Sequence, residues 1–186
     1  MRTLILSTSL HPDSRSRVMA RHLAQHLQRQ EGVEVRWMDL REAPLPMCDG
    51  GESYGHPNLA RYKEAILEAD AVVVACSIYN YDVGASAKNL IELTGKVWGD
   101  KVVGFVCAAG GRASYMAVMG LANSLMLDFR SVIVPRFVYA TGDAFSAEHG
   151  LEDAQIRGRL EELGAQVVRV GRALGASERV SVGAPS

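Results

Sequence analysis

The residues best suited to chemistry in this chain carry hydroxyl, guanidinium or aromatic groups, and they lie in three short segments. Residues 7–17 read Ser-Thr-Ser-Leu-His-Pro-Asp-Ser-Arg-Ser-Arg. Residues 77–81 read Ser-Ile-Tyr-Asn-Tyr, and residues 109–112 read Ala-Gly-Gly-Arg. Hydroxyl and guanidinium groups hydrogen-bond phosphate, whereas tyrosine rings pack against flat ring systems. Together the segments indicate a ligand with a phosphate at one end and an aromatic ring system at the other.

The first segment places hydroxyls and positive charge at the start of a predicted helix. A helix start presents unpaired backbone N–H groups and about half a positive charge, which suits a bound phosphate. The segment lacks both the Gly-x-Gly-x-x-Gly of dinucleotide turns and the Gly-Lys-Ser/Thr of P-loops. One interpretation is an ordinary helix cap at Asp13 or Ser14. The density of serine and arginine tilts the interpretation toward a terminal phosphate held by Ser9, Ser14, Ser16 and Arg17.

The second and third segments offer contacts for a ring system. Tyr79 and Tyr81 can flank a flat ring, and Asn80 can address its polar edge; the alternative is a turn whose tyrosines pack on the surface. Gly110 and Gly111 allow a backbone to approach a ligand closely, although an ordinary strand-to-helix turn has the same composition. No Ser-His-Asp or Cys-His arrangement is visible. A cofactor that supplies its own chemistry fits this pattern.

Composition predicts a single domain of ordinary type. The chain has 186 residues, 48% of them hydrophobic, which allows one sizeable core over residues 1–175 and a flexible tail at 176–186. Its 20 basic and 21 acidic residues create no overall field that favours nucleic acid. No apolar run approaches the ~20 residues that span a membrane. Without a signal-peptide pattern, we expect a cytoplasmic protein.

Cysteine and histidine do not form a metal or disulfide pattern. Cys48, Cys76 and Cys107 are widely spaced, and the five histidines form no His-x-His pair, so we expect no metal site. Cys76 and Cys107 end apolar runs and are expected to be buried apolar side chains. Cys48 lies in a polar loop and is the one cysteine to test for redox sensitivity.

Apolar runs and helical periodicities alternate five times along the chain, which predicts a doubly wound α/β sandwich with a parallel sheet. The predicted strands cover residues 4–6, 33–37, 71–76, 102–107 and 132–139. The predicted helices cover residues 14–30, 59–67, 85–94, 114–127 and 156–174. Ligands of such sheets bind beyond the carboxyl ends of the strands. Because all three segments follow predicted strands, we expect them to meet in one crevice.

The three segments resemble those of the NADPH-dependent FMN reductases of flavodoxin-like fold. That family's first loop commonly reads Gly-Ser-x-Arg-x-x-Ser-x-Asn/Ser-Arg, and residues 8–17 here read Thr-Ser-Leu-His-Pro-Asp-Ser-Arg-Ser-Arg. Its second loop reads Pro-Glu-Tyr-Asn before a later Leu-Lys-Asn; this chain has Ser-Ile-Tyr-Asn-Tyr at 77–81 and Ala-Lys-Asn at 87–89. The family's Gly-Gly-Arg matches residues 110–112. The resemblance covers about residues 2–172.

The resemblance implies a five-stranded parallel sheet of order 2-1-3-4-5 with FMN at its edge. The first loop would hold the phosphate, with His11 where the family usually has arginine and Thr8 where it has glycine. Residues 77–81 would lie along the isoalloxazine, and residues 109–112 would meet its pyrimidine edge. The implied cofactor contacts are Ser9, His11, Ser14, Ser16, Arg17, Ser77, Ile78, Tyr79, Asn80, Tyr81, Ala109, Gly110, Gly111 and Arg112.

The implied activity is an FMN-dependent oxidoreductase that takes a hydride from NAD(P)H at flavin N5 and passes it to a second acceptor. Quinones, azo dyes, metal ions and free flavins all suit that role. Two alternatives stay open: a flavodoxin-like electron carrier without a nicotinamide site, and a flavin-free sensor or interaction protein. The resemblance implies a homodimer or homotetramer, and the nearly all-apolar pattern of residues 114–127 favours a subunit contact or deep burial.

Overall fold

A parallel sheet with helices on both faces forms the body of the molecule. The computed structural model describes residues 1–146 and 150–181, with side chains described up to residue 175. The strands are β1 Arg2–Ser7, β2 Glu34–Asp39, β3 Ala71–Tyr79, β4 Asp82–Val83, β5 Val102–Ala108, β6 Val132–Ile133, β7 Val138–Ala140, β8 Phe145–Ser146 and β9 Gly150–Leu151. The helices are α1 Arg15–Gln28, α2 Pro57–Glu68, α3 Ala85–Thr94, α4 Met119–Phe129 and α5 Ala154–Ser181.

The main sheet runs in the order β2-β1-β3-β5, and both β6 and β7 pair with β5 on its far side. All of these pairings are parallel. The predicted flavodoxin-like order 2-1-3-4-5 is therefore confirmed, with β5 as the fourth position and β6 and β7 sharing the fifth. Pro135 and Arg136, whose φ is 61°, lie between the two short strands of that position. Proline cannot donate a ladder hydrogen bond, so the interruption is expected there.

Two hydrophobic layers cover the two faces of the sheet, as alternation along the strands requires. Leu4 and Leu6 face a layer that α2, α3 and α4 complete, whereas Ile5 faces α1 and α5. The continuous apolar run of β3 is buried on both sides, which confirms its predicted central position. Gly104 of β5 allows α5 to pack closely, because a Cβ there would lie 3.1 Å from Val167.

The prediction of an α-helix over residues 114–127 is wrong for residues 114–118. Residues Arg112–Val118 form a 3₁₀ segment instead, and the non-helical torsions of Ser114 (φ −92°, ψ 27°) break the helical path. The α-helix begins only at Met119. Some of its apolar side chains are buried and others face solvent: Leu125 is buried, whereas Leu127 is 85% exposed.

The last predicted helix is confirmed as α5, which begins at Ala154 and is described to Ser181. The predicted flexible tail, residues 176–186, lies outside the described side chains, and residues 182–186 lie outside the described residues altogether. The tail therefore remains a prediction. Among the helices of the described part, none combines the length and apolar content needed to cross a bilayer.

Candidate functional site

Strand register brings the three chemically distinctive segments to one edge of the sheet. Ser7 at the end of β1 lies opposite Ala75 of β3, and Ser77 of β3 lies opposite Ala108 of β5. The chain segments that follow β1, β3 and β5 therefore leave the sheet side by side, with that of β3 in the middle. This edge is the carboxyl end of parallel strands, where α/β sheets bind ligands.

A cleft of about 440 Å³ opens between the three segments. Its size lies within the range of small-molecule sites. Eight of the sequence-predicted residues line it: Ser9, His11, Ser14, Ser77, Ile78, Tyr79, Ala109 and Gly110. The other predicted residues do not form its wall: Ser16, Arg17, Asn80, Tyr81, Gly111 and Arg112. Asp13, Arg15 and Ala108 also line the cleft and were not among the predicted contacts.

Ser14 caps α1 and also lines the cleft. It is the N-cap of α1, where its hydroxyl accepts a hydrogen bond from the Arg17 backbone N–H at 3.2 Å. The same hydroxyl lines the cleft and lies 2.9 Å from the hydroxyl of Ser16. Ser16 is fully buried and does not line the cleft. The predicted helix cap is therefore confirmed at Ser14, and the same residue lines the cleft where the sequence predicts a phosphate.

Arg17 points into the protein. Its Nε donates to Asp39 Oδ2 at 2.5 Å, and its Nη2 donates to Asp39 Oδ1 at 3.3 Å and to the Ser9 carbonyl at 2.7 Å. Its Nη1 donates to the carbonyls of His11 and Pro12 at 2.7 and 3.0 Å. The guanidinium that the sequence predicted as a phosphate contact is thus bound to one carboxylate and three loop carbonyls.

Thr8 ties the first loop to the neighbouring strand. Both its backbone N–H and its hydroxyl donate to the carbonyl of Ala75, each at 2.9 Å. Its own carbonyl accepts the Ser86 hydroxyl at 2.6 Å, which joins the loop to the first turn of α3. The threonine hydroxyl therefore adds a buried anchor that a glycine at this position would lack.

The second segment is a β-hairpin that the sequence did not predict. Tyr79 of β3 pairs with Asp82 of β4, and the two residues between them, Asn80 and Tyr81, have φ values of 50° and 64°. Two consecutive positive φ values identify a type I′ turn, which asparagine tolerates and tyrosine rarely adopts. The Tyr79 and Tyr81 side chains are each 58% exposed. The Tyr79 ring lies over Gly84, where an added Cβ would be in ordinary van der Waals contact with the ring at 3.5 Å.

The third segment leaves open space above its backbone. A Cβ at either Gly110 or Gly111 would meet no atom of the protein within 4 Å, so packing within the protein does not account for the glycines. The Tyr139 hydroxyl donates to the Gly111 carbonyl and holds the loop from below. The Tyr115 ring stacks on Phe137, with 4.7 Å between their centroids, and meets Tyr139 edge-on at 5.6 Å. An aromatic cluster thus stands beside a backbone that a ligand can approach.

Arg112 lies on the surface and is paired with a carboxylate. Its Nη2 donates to Asp143 Oδ2 at 2.6 Å. The Thr141 hydroxyl and then this guanidinium hold the pKa of Asp143 below its ordinary value. Asp143 in turn raises the pKa of Arg112. The pair stays charged at any neutral pH and stands near the glycine loop rather than in the cleft.

Two residues that sequence reasoning missed fix the loops from outside the cleft. Asp39 ends β2 opposite Ser7, and only this register reveals that it reaches Arg17. Asn89 of α3 donates to the Pro46 carbonyl at 2.9 Å and accepts the Cys48 N–H at 2.8 Å. It thereby secures the long loop between β2 and α2. The sequence feature that could have pointed to Asn89 is its place in the Lys-Asn motif at residues 88–89.

The cysteines behave as predicted where the structure tests them. Cys76 and Cys107 are buried, with their Sγ atoms 3.7 Å apart on paired strands. The contact with Cys76, together with burial, raises the pKa of the Cys107 thiol well above its ordinary value. Cys48 is half-buried and contacts the Tyr54 hydroxyl. Within the described residues, no group of three or more His, Cys, Asp or Glu side chains is placed to hold a metal ion.

Known proteins with similar sequences are flavin and quinone reductases. Over 140 residues the chain is 26% identical to an NAD(P)H-dependent FAD/FMN reductase of Geobacillus thermodenitrificans, a match covering 74% of this chain and 76% of the relative. It is also 26% identical over 140 residues to an NADPH:quinone oxidoreductase of Arabidopsis thaliana, covering 71% of each.

Known structures show the same fold. The apo form of an NADH:FMN oxidoreductase (EMOB) superimposes with a TM-score of 0.72 at 15% identity, covering 89% of both chains. The family model for NADPH-dependent FMN reductases matches residues 1–146, which include all three segments of the cleft. The chain therefore belongs to the family of NADPH-dependent FMN reductases.

Proposed function

We propose that the chain carries electrons from NAD(P)H, through FMN held in the cleft, to a small aromatic acceptor of the quinone type. Membership of the family makes it an oxidoreductase with FMN as cofactor and NAD(P)H as co-substrate. The observation that carries the proposal is the single cleft that joins the hydroxyl-rich start of α1 to open glycine backbone. FMN, when bound, supplies hydride acceptance and donation at its N5 atom.

The start of α1 fits the phosphate of FMN. The hydroxyls of Ser9 and Ser14 line this end of the cleft, and the first-turn N–H groups of α1 have no intrahelical acceptor. Arg15 also lines it and adds positive charge, whereas Asp13 opposes a phosphate. His11 lines it as well, and its Nδ1 accepts the Asp13 N–H at 3.0 Å. Because one carboxylate offsets one guanidinium, the helix start and the hydroxyls are the main contributors to phosphate binding.

The opposite end of the cleft fits a flat ring. Ile78 and Tyr79 form one wall, and the Ala109-Gly110 backbone forms an edge. The open space above Gly110 and Gly111 allows backbone N–H groups to donate to the polar edge of an isoalloxazine. Such donors stabilise negative charge that develops on the ring edge during reduction.

The aromatic cluster beside the cleft supports a flat second substrate. The hairpin β3–β4 contacts the 3₁₀ segment that carries Tyr115, so the exposed tyrosines lie on neighbouring elements. Aromatic rings pack against quinone or nicotinamide rings in offset or edge-on geometry. Electron exchange through a flavin needs no protein acid or base, which agrees with the absence of a catalytic dyad from the walls of the cleft.

We also propose that the functional molecule is a homodimer or homotetramer. Leu127 of α4 is 85% exposed and lines a groove of about 540 Å³ between α3 and α4. Exposed apolar surface of this kind marks subunit contacts. Light scattering should show a multimer that Leu127→Glu dissociates, while Leu67→Glu, at an exposed position of α2, leaves it intact. A wild-type monomer at micromolar concentration would contradict the assembly.

The activity is tested by an absorption spectrum of the protein reconstituted with FMN and freed of excess cofactor. We expect a yellow protein whose visible flavin absorption bleaches anaerobically with NADH or NADPH and returns when a quinone is added. A colourless protein would contradict the cofactor. A yellow protein that neither nucleotide reduces would indicate an electron carrier instead.

A further inference from the structure

We propose that Arg17 and Asp39 are a positioning pair that shapes the phosphate end of the cleft from behind, and that Arg17 is not a phosphate ligand. This inference rests on the proposed binding of FMN. It assigns a function to Asp39, a residue outside the three segments, and it reverses the role that the sequence predicts for Arg17.

The Arg17 guanidinium uses all of its hydrogen-bond donors within the protein. A guanidinium has five N–H groups. Those of Arg17 make five hydrogen bonds of 2.5 to 3.3 Å, two to Asp39 and three to loop carbonyls. The side chain is 10% exposed. A phosphate could bind this guanidinium only by displacing one of its present acceptors.

The Asp39 carboxylate is held in place by the sheet and by the turn that follows it. It ends β2 in register with Ser7, and its side chain is 1% exposed. Its Oδ1 also accepts the Arg41 N–H at 2.9 Å, and its carbonyl accepts the N–H groups of Glu42 and Ala43. The sheet and the following turn therefore fix the carboxylate, and the carboxylate fixes the plane of the guanidinium.

Arg17 orients the loop between β1 and α1. Arg17 draws the carbonyls of Ser9, His11 and Pro12 toward itself. Because a trans peptide points its N–H opposite to its carbonyl, the N–H that follows the Ser9 carbonyl, that of Leu10, points away from Arg17. Ser9 and His11 themselves line the cleft. The pair thus sets the path of the backbone that carries the cleft residues.

The two roles for Arg17 predict opposite results for Asp39→Asn. If Arg17 is a phosphate ligand, loss of its carboxylate partner frees it, and FMN binds more tightly. If Arg17 is a positioning residue, the asparagine NH₂ group faces a guanidinium that also only donates, the loop carbonyls lose their alignment, and FMN binds more weakly. Riboflavin lacks the phosphate, and the ring end of the cleft is built by the segments that follow β3 and β5. The affinity of the protein for riboflavin should therefore not change.

The experiment measures the dissociation constants of FMN and riboflavin by flavin fluorescence titration of wild-type protein, Asp39→Asn and Arg17→Lys. We expect FMN binding to weaken about tenfold or more in both variants, the equivalent of about one charge-assisted hydrogen bond. Riboflavin binding should stay within about twofold, since none of its contacts depends on the pair. Glu42→Gln, which removes a nearby exposed carboxylate, is the control and should leave both constants unchanged.

Three results would overturn the inference. They are unchanged or tighter FMN binding by Asp39→Asn, wild-type FMN affinity in Arg17→Lys, and an equal loss of both flavins, which would show a purely structural role. If Asp39→Asn does not fold, Arg17→Lys decides, because lysine keeps the charge that a ligand needs and lacks the fork that three carbonyls need. A wild-type protein that binds neither flavin would contradict the proposed function itself, a result distinct from all three.

Discussion

The two ends of the cleft are built in different ways. At the phosphate end, Thr8 is bound twice to β3, Arg17 is bound to three carbonyls, and Ser14 caps a helix. At the ring end, the tyrosines of the hairpin are more than half exposed, and Gly110 faces empty space. One end is held by buried hydrogen bonds, whereas the other is open.

This difference separates a resident ligand from visiting ones. Buried, satisfied polar contacts hold one geometry and so favour a ligand that stays bound. Under the proposed function, an open, aromatic surface would let nicotinamide and acceptor alternate over the same ring, because stacking is tolerant of ring identity. We therefore expect changes at the phosphate end to alter cofactor affinity, and changes at the ring end to alter turnover and substrate choice.

The largest effect on flavin binding is expected from a substitution that fills the ring end of the cleft. Gly110→Leu should weaken FMN and riboflavin alike by about 100-fold or more, because the side chain occupies the space of the ring. The melting temperature of the apoprotein should not change, since the new Cβ meets no protein atom within 4 Å. Isothermal titration calorimetry and thermal unfolding measure the two quantities.

Gly55→Leu is the matched control for that substitution. A Cβ at Gly55 also meets nothing within 4 Å, but this glycine lies in the loop between β2 and α2. The Gly55→Leu protein should bind both flavins with wild-type affinity. Normal flavin binding by Gly110→Leu would show that the ring lies elsewhere.

Ser14→Ala should produce the next largest effect, and only at the phosphate end. We expect FMN binding to weaken about tenfold through loss of the cleft hydroxyl. Loss of the N-cap hydrogen bond should also lower the free energy of unfolding by about 1 kcal/mol. Riboflavin affinity is the internal reference, and Ser124→Ala on α4, outside the cleft, is the control. Equal losses for both flavins would remove the distinction between the ends.

Sequence patterns predicted the elements that periodicity controls. The run 71–76 specified a strand buried on both faces, and the serine-rich segment specified a helix start at Ser14. The convergence of the three segments followed from parallel topology alone. These inferences depend on local pattern and on the handedness of crossovers, which vary little among α/β proteins.

The features that sequence reasoning missed depend on long-range partners or unusual torsions. An arginine in a loop looks the same whether it faces a phosphate or a carbonyl, and the Asp39 partner of Arg17 lies 22 residues away. The hairpin escaped prediction because its turn, Asn80-Tyr81, has no glycine. The 3₁₀ segment before α4 escaped because its apolar spacing also fits an α-helix.

The choice between NADH and NADPH should respond to Asp143 at the ring end. Asp143→Asn releases Arg112 for the 2′-phosphate and should raise the NADPH/NADH ratio of kcat/KM about two- to fivefold, the range of an exposed ion pair. Because the pKa of Asp143 lies below its ordinary value, its carboxylate stays ionised throughout the neutral range, and the effect should be constant across neutral pH.

Asp100→Asn is the control for that effect, because it breaks the similarly exposed Arg130–Asp100 pair away from the cleft. Its nucleotide ratio should equal that of the wild type. An unchanged ratio in Asp143→Asn would show that Arg112 does not meet the nucleotide.

The smallest effect is expected at Tyr81. A tyrosine at φ 64° is strained, so Tyr81→Gly should raise the free energy of unfolding by up to about 1 kcal/mol. Loss of the ring should lower quinone turnover about two- to threefold without changing FMN affinity, as stopped-flow kinetics can show. Arg136→Gly, at a similar φ of 61°, should stabilise the fold and leave turnover unchanged. Faster turnover in Tyr81→Gly would contradict a substrate contact.

The contrast between the two ends is tested most directly by the affinities of the wild-type protein for FMN and riboflavin, measured by calorimetry under one set of conditions. If the start of α1 holds the phosphate, FMN should bind about 100-fold or more tightly than riboflavin, the equivalent of about two charge-assisted hydrogen bonds. Equal affinities for the two flavins would show that this end of the cleft does not bind the phosphate.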